Sequence, residues 1–264
     1  MRKIYRPRSP LTFLTTLLTA IAMVILANAM TPAAAQTKFN DLQNHWAQNC
    51  VEHLAEQKII SGYPDGSFRP NAPVTRAEFA TMVVKAFPGA VNATLPNSPI
   101  QFIDVPAKYW AAQSINQASA AGFLTGYPGR VFKPSQNIPR AQVLVALAGG
   151  LGYKAAQPVA TTLSTNFNDV QAIPDYARNA IAAATEKQIV VNYPNAKSLN
   201  PTQTATRADV AAAICQSRPG TDQLALIPAQ YIAGNKPQSQ PQSTNKSEIR
   251  GVWLTNVDSE ILFS

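Results

Sequence analysis

The chain repeats itself three times, and this restricts its fold more than any other feature. Phe39-x-Asp41 returns as Phe102-x-Asp104 and as Phe167-x-Asp169. An aromatic residue followed by alanine comes shortly after each: Trp46-Ala47, Trp110-Ala111 and Tyr176-Ala177. One constant spacing then leads to Gly62, Gly126 and Asn192, each followed by Tyr-Pro at Tyr63, Tyr127 and Tyr193. A second constant spacing runs from Pro70, Pro134 and Pro201 to Arg76, Arg140 and Arg207. Each arginine precedes an alanine and then Glu78, Gln142 or Asp209. The period is about 64–67 residues, so the fold is built from three copies of one unit.

Each unit reads as helix–loop–helix. In the first helix Trp46, Val51, Leu54 and Ala55 share a stripe, with Trp110, Ile115 and Ala118, then Tyr176, Ile181 and Ala184, as counterparts. The loop Gly62-Tyr-Pro-Asp-Gly66 carries turn chemistry: glycine for unusual φ, proline for fixed φ, Asp-Gly for a tight reversal. The second helix opens on a capping box at Thr75/Glu78 and again at Thr206/Asp209. In copy two Pro139 replaces the capping threonine, so that start is less well held. Apolar triplets follow: Phe79, Met82 and Val83; Val143, Ala146 and Leu147; Val210, Ala213 and Ile214. Two helices cannot enclose a core alone, so the copies must pack on one another. The expected fold class is all-α, a pseudo-threefold body of three helix–loop–helix repeats.

The Phe-x-Asp start, the Trp-Ala pair, Gly-Tyr-Pro-Asp-Gly-x-Phe-x-Pro and Thr-Arg-Ala-Glu resemble the S-layer homology domain over about residues 38–216. The resemblance implies a three-pronged spindle that holds proteins non-covalently on the cell wall. It implies ligands that are peptidoglycan-linked polysaccharides, often pyruvylated and so carrying a free carboxylate. It also implies that the arginine, the first-helix aromatic and the Gly-Tyr loop line the binding grooves.

The residues argue for an anion site in their own right. Arg76, Arg140 and Arg207 stand in the first turn of a helix, where a cation is unfavourable by roughly 0.3–1 kcal/mol. A charge kept in that place three times needs a compensating anion. Helix N–H groups and a guanidinium fork together suit a carboxylate. An internal alternative is open: Asp41, Asp104 and Asp169 repeat as faithfully and either pair with the arginines or cap the first helices. The candidate polysaccharide-binding residues are therefore Arg76, Arg140 and Arg207 with Thr75, Glu78, Gly62, Tyr63, Gly126, Tyr127, Trp46 and Trp110. A core role for the two tryptophans is the competing reading. Copy one is complete, copy two lacks the threonine and glutamate around Arg140, and copy three has Asn192 for glycine and Leu199 where Phe68 and Phe132 stand, so the grooves built with copy three depart most from the pattern.

The ends give the context. Arg2, Lys3, Arg6 and Arg8 precede an apolar run over 11–29 and then Ala33-Ala34-Ala35, the three parts of a secretory signal peptide. A retained membrane anchor is the alternative. Losing residues 1–35 removes four bases and no acid, which halves the net charge of +8 and weakens any nucleic-acid reading. Charged residues are only 14% of the chain, a surface suited to an extracellular module. Cys50 and Cys215 are compatible with a disulfide in an exported chain or with two buried thiols. No metal-ligand spacing accompanies His45 and His53, and no cofactor is implied.

The domain reading is residues 1–35 signal peptide, 36–92, 99–152 and 164–216 the three repeats, 217–247 a linker, and 248–264 an unfinished element. In the linker, residues 224–227 and 231–232 are apolar enough to lie on the helical body. Arg250-Gly-Val-Trp-Leu-Thr-Asn-Val-Asp258 resembles the first barrel strand of glycosyl-hydrolase-like family 10 domains. That resemblance places Asp258 toward the face where such barrels hold their active sites. No acid/base pair of glycosidase type can be assembled from the residues given, so the chain reads as non-catalytic. It reads as a monomeric anchor for a hydrolase domain. A structural surface-layer or porin-type envelope protein with wall-binding repeats is the alternative. N-terminal sequencing of envelope-derived protein is expected to begin at Gln36, whereas retention of Met1 would favour a membrane anchor.

Overall fold

A computed structural model describes residues 38–92, 101–220 and 225–235. The leader, and the segments 236–247 and 248–264, lie outside the described residues. Helices α1 (Gln48–Glu56), α2 (Arg76–Ala86) and α3 (Pro88–Asn92) come from copy one. Copy two gives α4 (Ala112–Ala120) and α5 (Arg140–Gly150). After α6 (Val159–Asn166), copy three gives α7 (Arg178–Glu186) and α8 (Arg207–Ser217). The described part is all-α, with isolated β-bridges and no sheet among the described residues. None of its helices is long and apolar enough to cross a membrane.

The helices of one copy do not chiefly pack on each other. Helix α2 packs on α4, α5 on α7, and α8 returns to pack on α1. Each second helix thus covers the first helix of the next copy, and the third copy closes the circle on the first. The second-helix triplets Phe79, Met82, Val83, then Val143, Ala146, Leu147, then Val210, Ala213, Ile214 are all buried, as the periodicity requires. The first-helix aromatics are not. Helices α1, α4 and α7 begin after them, and Trp110 and Tyr176 are 63% and 60% exposed. The stripe that reaches the core starts at Val51, Ile115 and Ile181, one turn into each helix.

At the centre the extended segments leading into α2, α5 and α8 meet. The Val74 N–H donates to the Ala205 carbonyl (3.1 Å), Ala205 N–H to Ile138 (2.8 Å), and Ile138 N–H to Val74 (2.9 Å). The same segments satisfy the helix starts. Arg76 and Ala77 N–H donate to the Gln136 and Pro134 carbonyls, Arg140 and Ala141 to Gln203 and Pro201, and Arg207 and Ala208 to Ala72 and Pro70. This explains how α5 starts on Pro139 without a side-chain cap, while Thr75/Glu78 and Thr206/Asp209 form complete capping boxes. The orphan donors of a helix N-terminus are met here by a neighbouring copy.

The repeated aspartates neither cap the first helices nor pair with the arginines. Asp41 accepts from Phe68 N–H (2.8 Å) and Arg69 N–H (2.7 Å). Asp104 does the same for Phe132 and Lys133, and Asp169 for Leu199 and Asn200. Arg69, Lys133 and Asn200 each hold a positive φ, between 51° and 58°, which side chains resist. Two charge-assisted bonds to one carboxylate offset that strain in every copy. The glycine of the loop is fixed by approach rather than by φ: a Cβ on Gly62 would stand 2.3 Å from Phe39, and one on Gly126 2.4 Å from Phe102.

The segment 225–235 lies against copy three, with Ile227 and Ala233 buried and Ala233 N–H donating to the Val190 carbonyl (2.9 Å). Cyclic closure predicts loss of the whole body when its centre is hollowed. Ile138, fully buried beside Val74 and Ala205, is expected to cost about 2–5 kcal/mol when changed to alanine. Urea denaturation should show one cooperative transition moving as a unit. Residues 36–92 alone should melt without cooperativity.

Candidate functional site

The three arginines bridge copies. The Arg76 Nε donates to the Phe132 carbonyl (2.8 Å), Nη2 to the Thr125 carbonyl (2.8 Å) and Nη1 to Gln142 Oε1 (3.1 Å). Arg207 repeats this toward copy one, with Nε on Phe68 (2.8 Å) and Nη2 on Ser61 (2.6 Å). Arg140 reaches copy three, with Nε on Leu199 (2.9 Å) and Nη2 on Val191 (3.0 Å) and Asn192 Oδ1 (2.6 Å). Each arginine thus holds the carbonyl just before the Gly/Asn-Tyr-Pro turn of the next copy. The helix N–H groups expected to be open to an anion are already taken by carbonyls.

The environments differ in counter-charge. Arg140 is ion-paired through Nη1 with Asp209. No carboxylate lies within ion-pair distance of Arg76 or Arg207 among the described residues. The position that Asp209 fills for Arg140 is filled by neutral Gln142 for Arg76. For Arg207 it is filled by Glu78, whose carboxylate is held by Thr75 as that of Asp209 is by Thr206, but which stands beyond ion-pair distance of the guanidinium. Aromatic faces partly substitute: the Arg76 guanidinium lies 4.6 Å from the Phe132 ring centre and 4.9 Å from Tyr127. Arg207 lies 4.4 Å from Phe68 and 5.2 Å from Tyr63. Burial, partly opposed by charge around Tyr127 and Asp104, pulls the pKa of Arg76 below the usual arginine range. Burial does the same to Arg207.

Beside Arg76 opens a cavity of about 280 Å³, walled by Gly126, Tyr127, Gln142 and, from copy three, Tyr176. The comparable groove at Arg140, about 190 Å³, has Tyr193 and, from copy one, Trp46. Each of these grooves combines the arginine of one copy, the Tyr-Pro loop of the next and the first-helix aromatic of the third. At Arg140 those aromatics are spent on each other: Trp46 stacks on Tyr193 (5.4 Å, 8° between planes), and Tyr231 meets both edge-on.

Among the expected site residues the structure brings Arg76 together with Gly126 and Tyr127, and Arg207 with Tyr63 next to Gly62. Trp46 joins Arg140 instead. Thr75 and Glu78 serve as the cap of α2, and Trp110 stands exposed beside Tyr109. Gln142 and Tyr176 were present in the repeat pattern as the residue after Arg-Ala and the first-helix aromatic. Nothing in one dimension shows that they face the arginine of a different copy. Tyr231 carries no repeat signal at all.

The S-layer homology domain matches residues 38–80, 101–144 and 166–211. An amylopullulanase of Thermoanaerobacterium thermosulfurigenes is 32% identical over 67% of this chain, which is 9% of its own length. An exoglucanase of Acetivibrio thermocellus is 31% identical over 67% of this chain and 16% of its own. A cellulosome-anchoring protein of the same organism is 36% identical over 39% of this chain and 24% of its own. The chain spans under a quarter of the length of each of these relatives. With three matched segments that together cover half of the chain, each holding one bridging arginine, this protein belongs to the S-layer homology domain family.

Proposed function

We propose that this protein is an exported, non-catalytic anchor that binds an anionic, pyruvylated-type polysaccharide of the cell wall, with the groove at Arg76 as its principal site. The observation that carries this reading is a buried guanidinium with a neutral side chain where a paired acid stands in another copy. A carboxylate entering the cavity would find a cation without a counter-ion, two unused N–H directions and the Tyr176 ring for a sugar, while Tyr127 holds Arg76 and Lys133 against its own ring. Arg207, whose neighbouring acid Glu78 stands beyond ion-pair distance, ranks second. The Arg140 groove, neutralised by Asp209, ranks last.

Relatives named as an amylopullulanase, an exoglucanase and a cellulosome-anchoring protein support the wider reading, in which the repeats tether a glycoside-hydrolase-like domain beginning at 248–264. A surface-layer role is the second reading. It is favoured by a surface layer protein of Brevibacillus choshinensis, 30% identical over 51% of this chain and 12% of its own length. Both readings place the protein in the cell envelope.

Replacing Arg76 by alanine is a poor test of binding, since the Thr125 and Phe132 carbonyls would lose their donor at a cost of about 1–3 kcal/mol. Gln142→Glu is the clean one. It gives Arg76 an internal counter-ion while keeping the shape, so the melting midpoint should hold or rise. Sedimentation with purified wall sacculi should weaken by about tenfold, the equivalent of one lost charge-assisted bond. Stripping the acidic substituents from the sacculi should erase the difference between the two proteins. Equal binding by wild type and Gln142→Glu on intact sacculi would sink the Arg76 site.

A further inference from the structure

Copy one joins copy two, and copy two joins copy three, through the chain itself. The junction between copy three and copy one has no such covalent link nearby, and it is there that the two cysteines lie. Cys50 is on α1 and Cys215 on α8, two helices that pack on each other. Both are buried, at 0% and 1% exposure. The Cys50 thiol donates to the Ala211 carbonyl (3.4 Å), one helical turn before Cys215, and the Cys215 thiol is near enough to add to burial in raising the Cys50 pKa. Two sulfurs from distant parts of the sequence therefore share one site in the core.

We propose that Cys50 and Cys215 are the two halves of a disulfide that covalently closes the ring of repeats in the exported protein. The proposal rests on the export reading for its compartment and on the packing of α1 against α8 for its geometry. In the step, the two thiols release two protons and two electrons and one S–S bond forms. The electrons pass to the disulfide of an oxidant of the glutathione or dithiol-oxidoreductase class, which is reduced to two thiols. Because the site is closed to solvent, the bond must form while α8 is still arriving on α1. Once the protein is folded, burial and the neighbouring sulfur hold the Cys50 thiol protonated, well above its ordinary pKa, and so unreactive.

The bridge would span roughly 165 residues of chain, a loop long enough for a large effect on the unfolded state.

The test refolds the full chain from reduced, denatured protein in a mixture of reduced and oxidised glutathione, then denatures it with iodoacetamide and no reductant. The expected result is intact mass short by two hydrogens, with no alkylation. Treating the bridged protein with reductant during unfolding should lower the melting midpoint by about 6–15 °C. The Cys50→Ala/Cys215→Ala double variant should show no response to reductant. Protein folded first without oxidant should stay reduced when glutathione disulfide is added. Natively helical protein in which both thiols take up iodoacetamide after glutathione refolding overturns the proposal. That arm does not depend on export, which N-terminal sequencing at Gln36 reads separately.

Discussion

The circle of hydrogen bonds through Val74, Ala205 and Ile138 sets the spacing of the copies, because each donor and acceptor in it belongs to a buried main chain that water cannot satisfy. If one copy were withdrawn, a second would lose an acceptor and the third a donor. The first turns of α2, α5 and α8 would lose their partners at the same time, since the same segments supply both sets of carbonyls. Cyclic helix packing then follows as a consequence. With the helix starts fixed at the centre, each second helix runs outward along the first helix of its neighbour.

The arginines extend that dependence to the rim. A guanidinium has five N–H donors and little tolerance for losing them to an apolar interior. Main-chain carbonyls of the next copy take the Nε and one Nη of every arginine, so hydrogen bonding is largely solved internally in all three copies. Net charge is a separate problem. Carbonyls and aromatic faces offer partial charge only, and of these three arginines Arg140 is the one that a carboxylate reaches at ion-pair distance among the described residues. One arginine can thus be a staple by its hydrogen bonds and still carry a charge that is met only in part. Whether that charge is paired is decided by the residue at position 142 or its equivalents rather than by the arginine.

The repeat, the helix–loop–helix unit, the capping boxes and the core faces of the second helices were legible in the sequence, because each is a local pattern with its own spacing. Three things were not. The aspartates looked like caps because they precede helices, yet their partners are about thirty residues onward, where a loop doubles back. The aromatics looked like the first rung of a core stripe, yet the helices start after them, and Trp46 and Tyr176 wall grooves while Trp110 stands exposed. The copy that donates each groove wall is a property of ring closure, which periodicity cannot encode. The arginine pattern was readable as a site, but the same three-fold repetition is what a purely structural staple would produce.

The inequality of the copies bears on that last ambiguity. Ring closure needs every arginine to reach its two carbonyls, so the fold retains all three whether or not a groove binds anything. Binding places no such demand on each copy, and groove-forming residues can drift where the fold permits. Copy three has drifted: Leu199 removes an aromatic face from Arg140, Asn192 adds an amide to it, and Asp209 neutralises it. Trp46, Tyr193 and Tyr231 turn their faces and edges to one another, and the segment 225–235 adds a main-chain bridge between Val191 and Ile232. Every one of these changes replaces something a ligand would supply with something the chain supplies itself. The groove at Arg76 has none of them, and its guanidinium, like that of Arg207, keeps a charge that carbonyls and ring faces balance only in part.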